Sequence, residues 1–231
     1  MSLRAKIDKR IDKVRYAPIE VFVFHAVSET FDEMRNQRED WMSTDMFKRL
    51  VSTIGQRYEF ISLAEAYWHL RKDVFRRRRY AVLTCDDGFA SVLSVLPFVE
   101  EQNIPMTLFV NPKYLDGVSH REGYASAPEY ITSEQLAAIK SSLVTIGMHG
   151  YEHVDATAQS PEEFDGSVRL CEEILKEHPN YIPYFAYTWG RCNASTQKVL
   201  SARQLIPVFC DGAVNYRYNG GISRRTLELG E

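Results

Sequence analysis

The stretch "YAVLTCDDGFAS", Tyr80 to Ser91, decides how this chain is to be read: an apolar run stops at two adjacent carboxylates, Asp86 and Asp87, followed by Gly88. Ala81 to Thr84 shows no polar face, the pattern of a parallel strand buried on both sides. In parallel α/β architectures chemistry collects at the C-terminal ends of strands, where this pair falls. Two carboxylates at the mouth of a buried strand raise each other's pKa unless a cation or separate partners divide their roles. A bound metal resolves that conflict.

Working outward, short β-rich runs alternate with capped helical segments. "VFVFH" (Val21 to His25), "YEFIS", "AVLT", "PMTLFV" (Pro105 to Val110), "VTIG" (Val144 to Gly147), "YFAY" and "IPVF" read as seven strands. Between them, helices are predicted near Thr44 to Gln56, from Ser62 to about Lys72 with Glu65 completing a capping box, and from about Ala90 to Gln102. Others follow from Thr132 to about Lys140, from Ser160 to about Glu177 and near Thr196 to Arg203. The rhythm predicts an α/β fold, a distorted parallel (β/α) barrel of about seven strands, with a doubly wound sheet as the alternative. A single domain over 1–231 is expected, its residues 1–19 forming a charged, helical N-terminal extension.

The 231 residues, 45% apolar, suffice for one large core. A net charge of −3 leaves no global positive field of the kind nucleic-acid binders use, and the tract Arg76 to Arg79 reads as a solvated loop. Cys85, Cys171, Cys192 and Cys210 contain no C-x-x-C and read as free thiols. No stretch reads as a signal peptide or membrane span, so the expectation for the sequence as written is cytoplasmic, or secreted or periplasmic had a leader been removed.

The strand ends collect His25, Asp86, Asp87, His149, Tyr187 and Asp211. In "IGMHGYEHVDAT", His149 and His153 stand four apart, the spacing that puts two rings on one side of a helical turn. Two histidines and a carboxylate bind zinc with a position open for water, and suit iron, cobalt, nickel or manganese as well.

These motifs resemble the polysaccharide deacetylases, or NodB-homology domains, which are metal-dependent de-N-acetylases. "LTCDDGFAS" is similar to their first motif, "HGYEH" to their second and "YFAYTWG" (Tyr184 to Gly190) to their third, and the likeness extends over most of residues 20 to 210. The resemblance implies Asp87, His149 and His153 as ligands of a divalent metal, most readily zinc. Asp86 becomes the base that deprotonates a metal-bound water attacking the acetamide carbonyl of an amino sugar. Tyr187 and Trp189 fit a sugar-stacking wall, with barrel-mouth core as the equal alternative for either, while Asp211, a further substrate-binding candidate, and Arg225 are matched by position alone.

The chain also departs from the pattern. Cys85 replaces a phenylalanine, Thr188 stands where proline is common, and Ala186 stands where many members carry an arginine that orients the base, so a less constrained base is expected. The C-terminal leucine-histidine motif that supplies a general acid is absent, since no histidine follows His178. His25, ending the first strand, is the candidate substitute, with a buried structural histidine as the other reading. His69 is expected to be structural, and His120, Arg121 and Tyr124 to lie in a solvated loop. Hydrolysis of a small non-sugar amide, a catalytically impaired carbohydrate binder and, last, an iron oxygenase are the competing functions.

Overall fold

The computed structural model describes residues 15–29, 41–72, 75–117 and 129–228; His120, Arg121, Tyr124 and most of the N-terminal extension lie outside them. In chain order the described strands are β1 (Ile19–Phe24), β2 (Ala26–Val27), β3 (Trp41–Met42), β4 (Glu59–Phe60), β5 (Tyr80–Cys85) and β6 (Met106–Val110). β7 (Val144–Met148), β8 (Tyr181–Ala186), β9 (Ile206–Phe209), β10 (Ile222–Ser223) and β11 (Arg225–Thr226) complete them. The helices are α1 (Thr44–Gly55), α2 (Leu63–Arg71), α3 (Leu96–Glu101), α4 (Ser133–Ala138), α5 (Pro161–Leu175) and α6 (Ala194–Ala202).

All pairings of the main sheet are parallel, in the order β10-β9-β8-β7-β6-β5-β1-β11, with β4 added to the start of β5. The two ends of that path are one short segment. Ile222 and Ser223 pair with Val208 and Phe209 of β9, whereas Arg225 and Thr226 pair with Phe22 and Val23 of β1. Residues 222–226 therefore bridge both edges and bring the sheet to a nearly closed barrel. Only four residue pairs make this seam, and Asn215 reinforces it: its side chain donates to the Ser223 carbonyl (2.8 Å) and accepts from the Ser223 amide (2.9 Å).

Alternation along the strands sorts the core into two clusters. Ala81, Leu83 and Cys85 of β5 face outward, packing with Phe47, Leu50 and Val51 of α1. Val82 faces inward with Ile19, Val21, Phe109, Tyr184, Ala186, Val208 and Ile222, and Leu63, Ala66 and Leu70 of α2 join this inner cluster. The interior is tightly filled: a Cβ on Gly147 would come 2.5 Å from the Phe109 ring. Carried past the strand end, the inward phase of Val82 and Thr84 falls on Asp86.

The capping signals hold at their positions: Ser62, Thr132 and Ser160 each accept from the N3 amide while the N3 side chain reaches back. Two expectations are corrected. The predicted helix from Ala90 to Gln102 is a 3-10 turn (Ala90–Ser94) followed by α3, with Pro97 near its start, because proline supplies no amide to continue the ladder. The "YEFIS" strand shrinks to the two residues of β4, and the closing pair β10–β11 takes its place in the ring.

Candidate active site

β5 delivers Asp86 and Asp87, β7 delivers His149, and the loop after β7 returns His153 to the same point. One ligand atom from each of Asp87, His149 and His153 lies within 4.8 Å of the others, and all three residues are buried. Nε2 of His149 stands 3.2 Å and Nε2 of His153 3.0 Å from Oδ1 of Asp87. Nδ1 of His149 lies 2.9 Å from the Ala186 carbonyl, which fixes the tautomer with a proton on Nδ1 and turns the Nε2 lone pair to the cluster.

The convergence of the histidines does not come from a helical turn, as the spacing suggested. Residues 149–153 form a loop in which Gly150 (φ 77°) and His153 (φ 59°) are left-handed. Asp87 (φ 69°) and Trp189 (φ 57°) share that conformation, so three of the five non-glycine residues with positive φ among those described belong to this site. Such backbone is sparsely populated and persists where surrounding structure enforces it. Here Asn111 donates to the carbonyls of His149 (2.5 Å) and Gly150 (2.9 Å), and Thr188 donates to that of Val154 (2.6 Å). Gly88 (φ 73°) makes the turn beneath Asp87, where a Cβ would press to 3.1 Å on Val110.

Asp86 is held otherwise. Arg224, between the two halves of the barrel seam, donates to Oδ1 at 2.6 Å and Oδ2 at 2.7 Å, with a further bond to Thr84 (3.1 Å). Its side chain is 0% exposed and its guanidinium sits 5.2 Å from the Phe109 ring centroid. Burial pushes the Asp86 carboxyl up, but the charge of Arg224, then His149, outweighs it and holds the group below the usual aspartate range. Asp87 is likewise opposed by burial and held well below that range by its contacts with His149 and His153. The expectation of a loosely held base is thus corrected. The third-motif position is Ala186, and the constraint arrives instead from the C-terminal seam, one residue before Arg225, which pairs with Glu20 (3.1 Å). An "RR" in a weakly patterned terminus gave no signal for it.

His25 lies half-buried just past β1, near enough to Asp86 to help lower that carboxyl. Trp189 is 56% exposed at the rim, its ring 4.9 Å from that of His153. Of the two readings of Tyr187, the structure gives the core one: at 1% exposure it is stacked with Phe209 and Phe164 and offers no face to a ligand, so the sugar-wall expectation does not hold for it. Asp211 follows β9 and accepts from Ser223 (3.0 Å) and the Ala213 amide (3.1 Å), bonds that order its turn. The buried Cys85 thiol is pushed well up by burial and by the two neighbouring aspartates, as suits a packing residue. His69 stacks on Tyr80 at 4.8 Å, a structural contact.

Chemically, two imidazoles and one carboxylate with an ionised, arginine-held second carboxylate beside them make a site for a divalent cation and a base. The profile of the family described as polysaccharide deacetylase matches residues 74–206, more than half of the chain. Among solved structures, IcaB from Ammonifex degensii superposes with a TM-score of 0.77 at 21% identity, over 92% of this chain and 93% of that one. The Streptococcus pyogenes deacetylase PplD, solved with acetate, gives 0.73 at 20%, over 91% and 92%. A de-N-acetylase from Aggregatibacter actinomycetemcomitans gives 0.72 at 14%, over 93% and 97%. No curated protein matches the chain.

Proposed function

The chain belongs to the polysaccharide deacetylase family, metal-dependent hydrolases of carbon–nitrogen bonds that remove N-acetyl groups, and from that membership we propose that it de-N-acetylates an amino-sugar polymer using Asp86 as base. The observation that carries the reading is the division of labour between neighbouring aspartates, Asp87 facing the two histidines and Asp86 gripped by Arg224.

Asp87, His149 and His153 would hold the cation, their donor set suiting zinc best and iron, cobalt, nickel or manganese as well. A divalent ion bound there supplies Lewis-acid activation of water and of the amide carbonyl. Asp86, kept ionised and fixed in orientation by Arg224, accepts the proton of the attacking water. His25, at the end of β1, donates a proton to the departing amine. Trp189 offers its exposed ring to an apolar sugar face, and Asp211, on the same side, reaches a sugar hydroxyl. Arg224 weighs against the impaired-binder reading, because the partner missing at Ala186 is supplied from between β10 and β11. The open aromatic at the rim favours a sugar over a small linear amide.

Acetate release from N-acetylated oligosaccharides, measured with metal content by emission spectroscopy, tests this. Asp86→Asn should retain the ion and fold and lose about 10²- to 10⁴-fold in turnover. Undiminished release from that variant, or no release from a metal-loaded parent, would overturn the assignment.

A further inference from the structure

The tract Arg76 to Arg79 is not the uniformly solvated loop its composition suggested. Arg76 is buried and donates to the carbonyls of Ala17 (3.1 Å), His69 (2.9 Å) and Tyr216 (2.7 Å), tying the entry to β1, the end of α2 and the segment before the seam into one surface. That surface is the N-terminal end of the barrel, opposite the rim that carries the site, since β1 and β5 both begin there.

On it stand two large aromatics that the fold leaves outside: Trp68 is 53% and Phe75 56% exposed. Each has a cation over its ring, Lys72 at 5.5 Å from the Trp68 centroid and Arg77 at 5.5 Å from that of Phe75. Arg71, also exposed, extends the positive surface over Tyr218 (5.4 Å). Among the described residues, two carboxylates near this surface are engaged: Glu59 by Arg78 at 2.7 Å, and Glu65 in the cap of α2. Positive charge among the described residues is thus gathered at this end of a chain whose net charge is −3.

We propose that this end docks on the anionic phospholipid surface of a bilayer, with Trp68 and Phe75 entering the headgroup layer and Arg71, Lys72 and Arg77 meeting lipid phosphates. Aromatic rings with a polar or cationic companion partition to that layer, and clustered Lys and Arg near an anionic leaflet add attraction within a Debye length. A nucleic acid is the less favoured partner because each ring already carries a cation over one face, where a base would have to stack. Docked this way, the site at the opposite end faces away from the bilayer, open to a polymer. No helix among the described residues is long and apolar enough to cross a membrane. The proposal does not depend on the reaction catalysed.

The test is flotation of the full chain with vesicles of phosphatidylcholine and of equal parts phosphatidylcholine and phosphatidylglycerol, at low and high salt. Binding is expected only to the anionic vesicles and should fall with salt. Lys72→Gln with Arg77→Gln should weaken it about thirtyfold, about fivefold for each cation removed. Trp68→Ser with Phe75→Ser should weaken it at least about tenfold at unchanged charge, with circular dichroism and acetate release as in the parent. Equal binding to both vesicle types, or retention by the aromatic double variant, would overturn the proposal. Tighter binding to duplex DNA than to anionic vesicles would overturn it in favour of a nucleic-acid surface.

Discussion

Arg224→Met removes the charge from the barrel seam while keeping most of the side-chain volume. In the parent, Arg224 and Asp86 form a doubly hydrogen-bonded pair with side chains 0% and 5% exposed, within a barrel whose closure rests on four residue pairs. Breaking one partner of such a pair costs about 3–5 kcal/mol, because the other charge stays buried without compensation. For a chain of this length that is a fall in Tm of roughly 6 to 20 °C. The penalty should be largest in chelated protein, where Asp86 would face Asp87 with no cation between them. Asp86→Asn added to Arg224→Met removes the stranded charge, and most of the lost stability should return while turnover does not. Calorimetry of the chelated single and double variants, beside acetate release from the metal-loaded ones, separates the two effects. If Arg224→Met were as stable and as active as the parent, the reasoning about the seam would be refuted. If the double variant stayed as unstable as the single, the penalty would belong to packing and not to the charge.

His25→Ala should lower kcat by about 10²- to 10⁴-fold with metal content unchanged, whereas a purely structural histidine would cost stability and leave the activity of folded protein near normal. Trp189→Ala should raise KM for an oligosaccharide by about tenfold with little change in melting temperature, since the ring is 56% exposed; unchanged KM would remove it from the substrate wall. Arg203 donates to both Asp165 oxygens (2.6 and 2.7 Å) and to Glu172 (2.7 Å), joining α6 to α5. Arg203→Ala should cost about 1 kcal/mol at pH 7, a modest figure because the Asp165 side chain is well exposed. The Arg203 bonds lower the Asp165 pKa, so their contribution is present above the unfolded aspartate value of about 3.9 and is lost as pH falls through the depressed one. Urea titrations of parent and variant should therefore converge in acid, and a pH-independent gap would contradict the assignment.

What the sequence disclosed and what it withheld follow a physical division. Asp86, Asp87, His149 and His153 were legible because each sits at or just after a strand whose apolar run marks its own end, and because the helix caps that space those strands are local signals three residues long. The barrel was legible for the same reason. Closure was not, since β10 and β11 are two-residue strands, too short to show a period, and pairing with β9 and β1 makes them strand only in context. Arg224 fell with them. A charged residue in "SRRT" reads as solvent-facing until the register puts Ser223 against Phe209 and Arg225 against Phe22, which leaves the residue between them inside the ring. Tyr187 stayed open between wall and core, for a strand-end aromatic can point to either layer, and one residue of phase separates the inward Ala186 from the outward Tyr187. The same step of one residue divides the two aspartates: Asp86 keeps the inward phase of β5 and meets Arg224. Asp87 enters the left-handed turn and swings to the histidines, so adjacent, chemically identical residues face different partners because the strand ends between them.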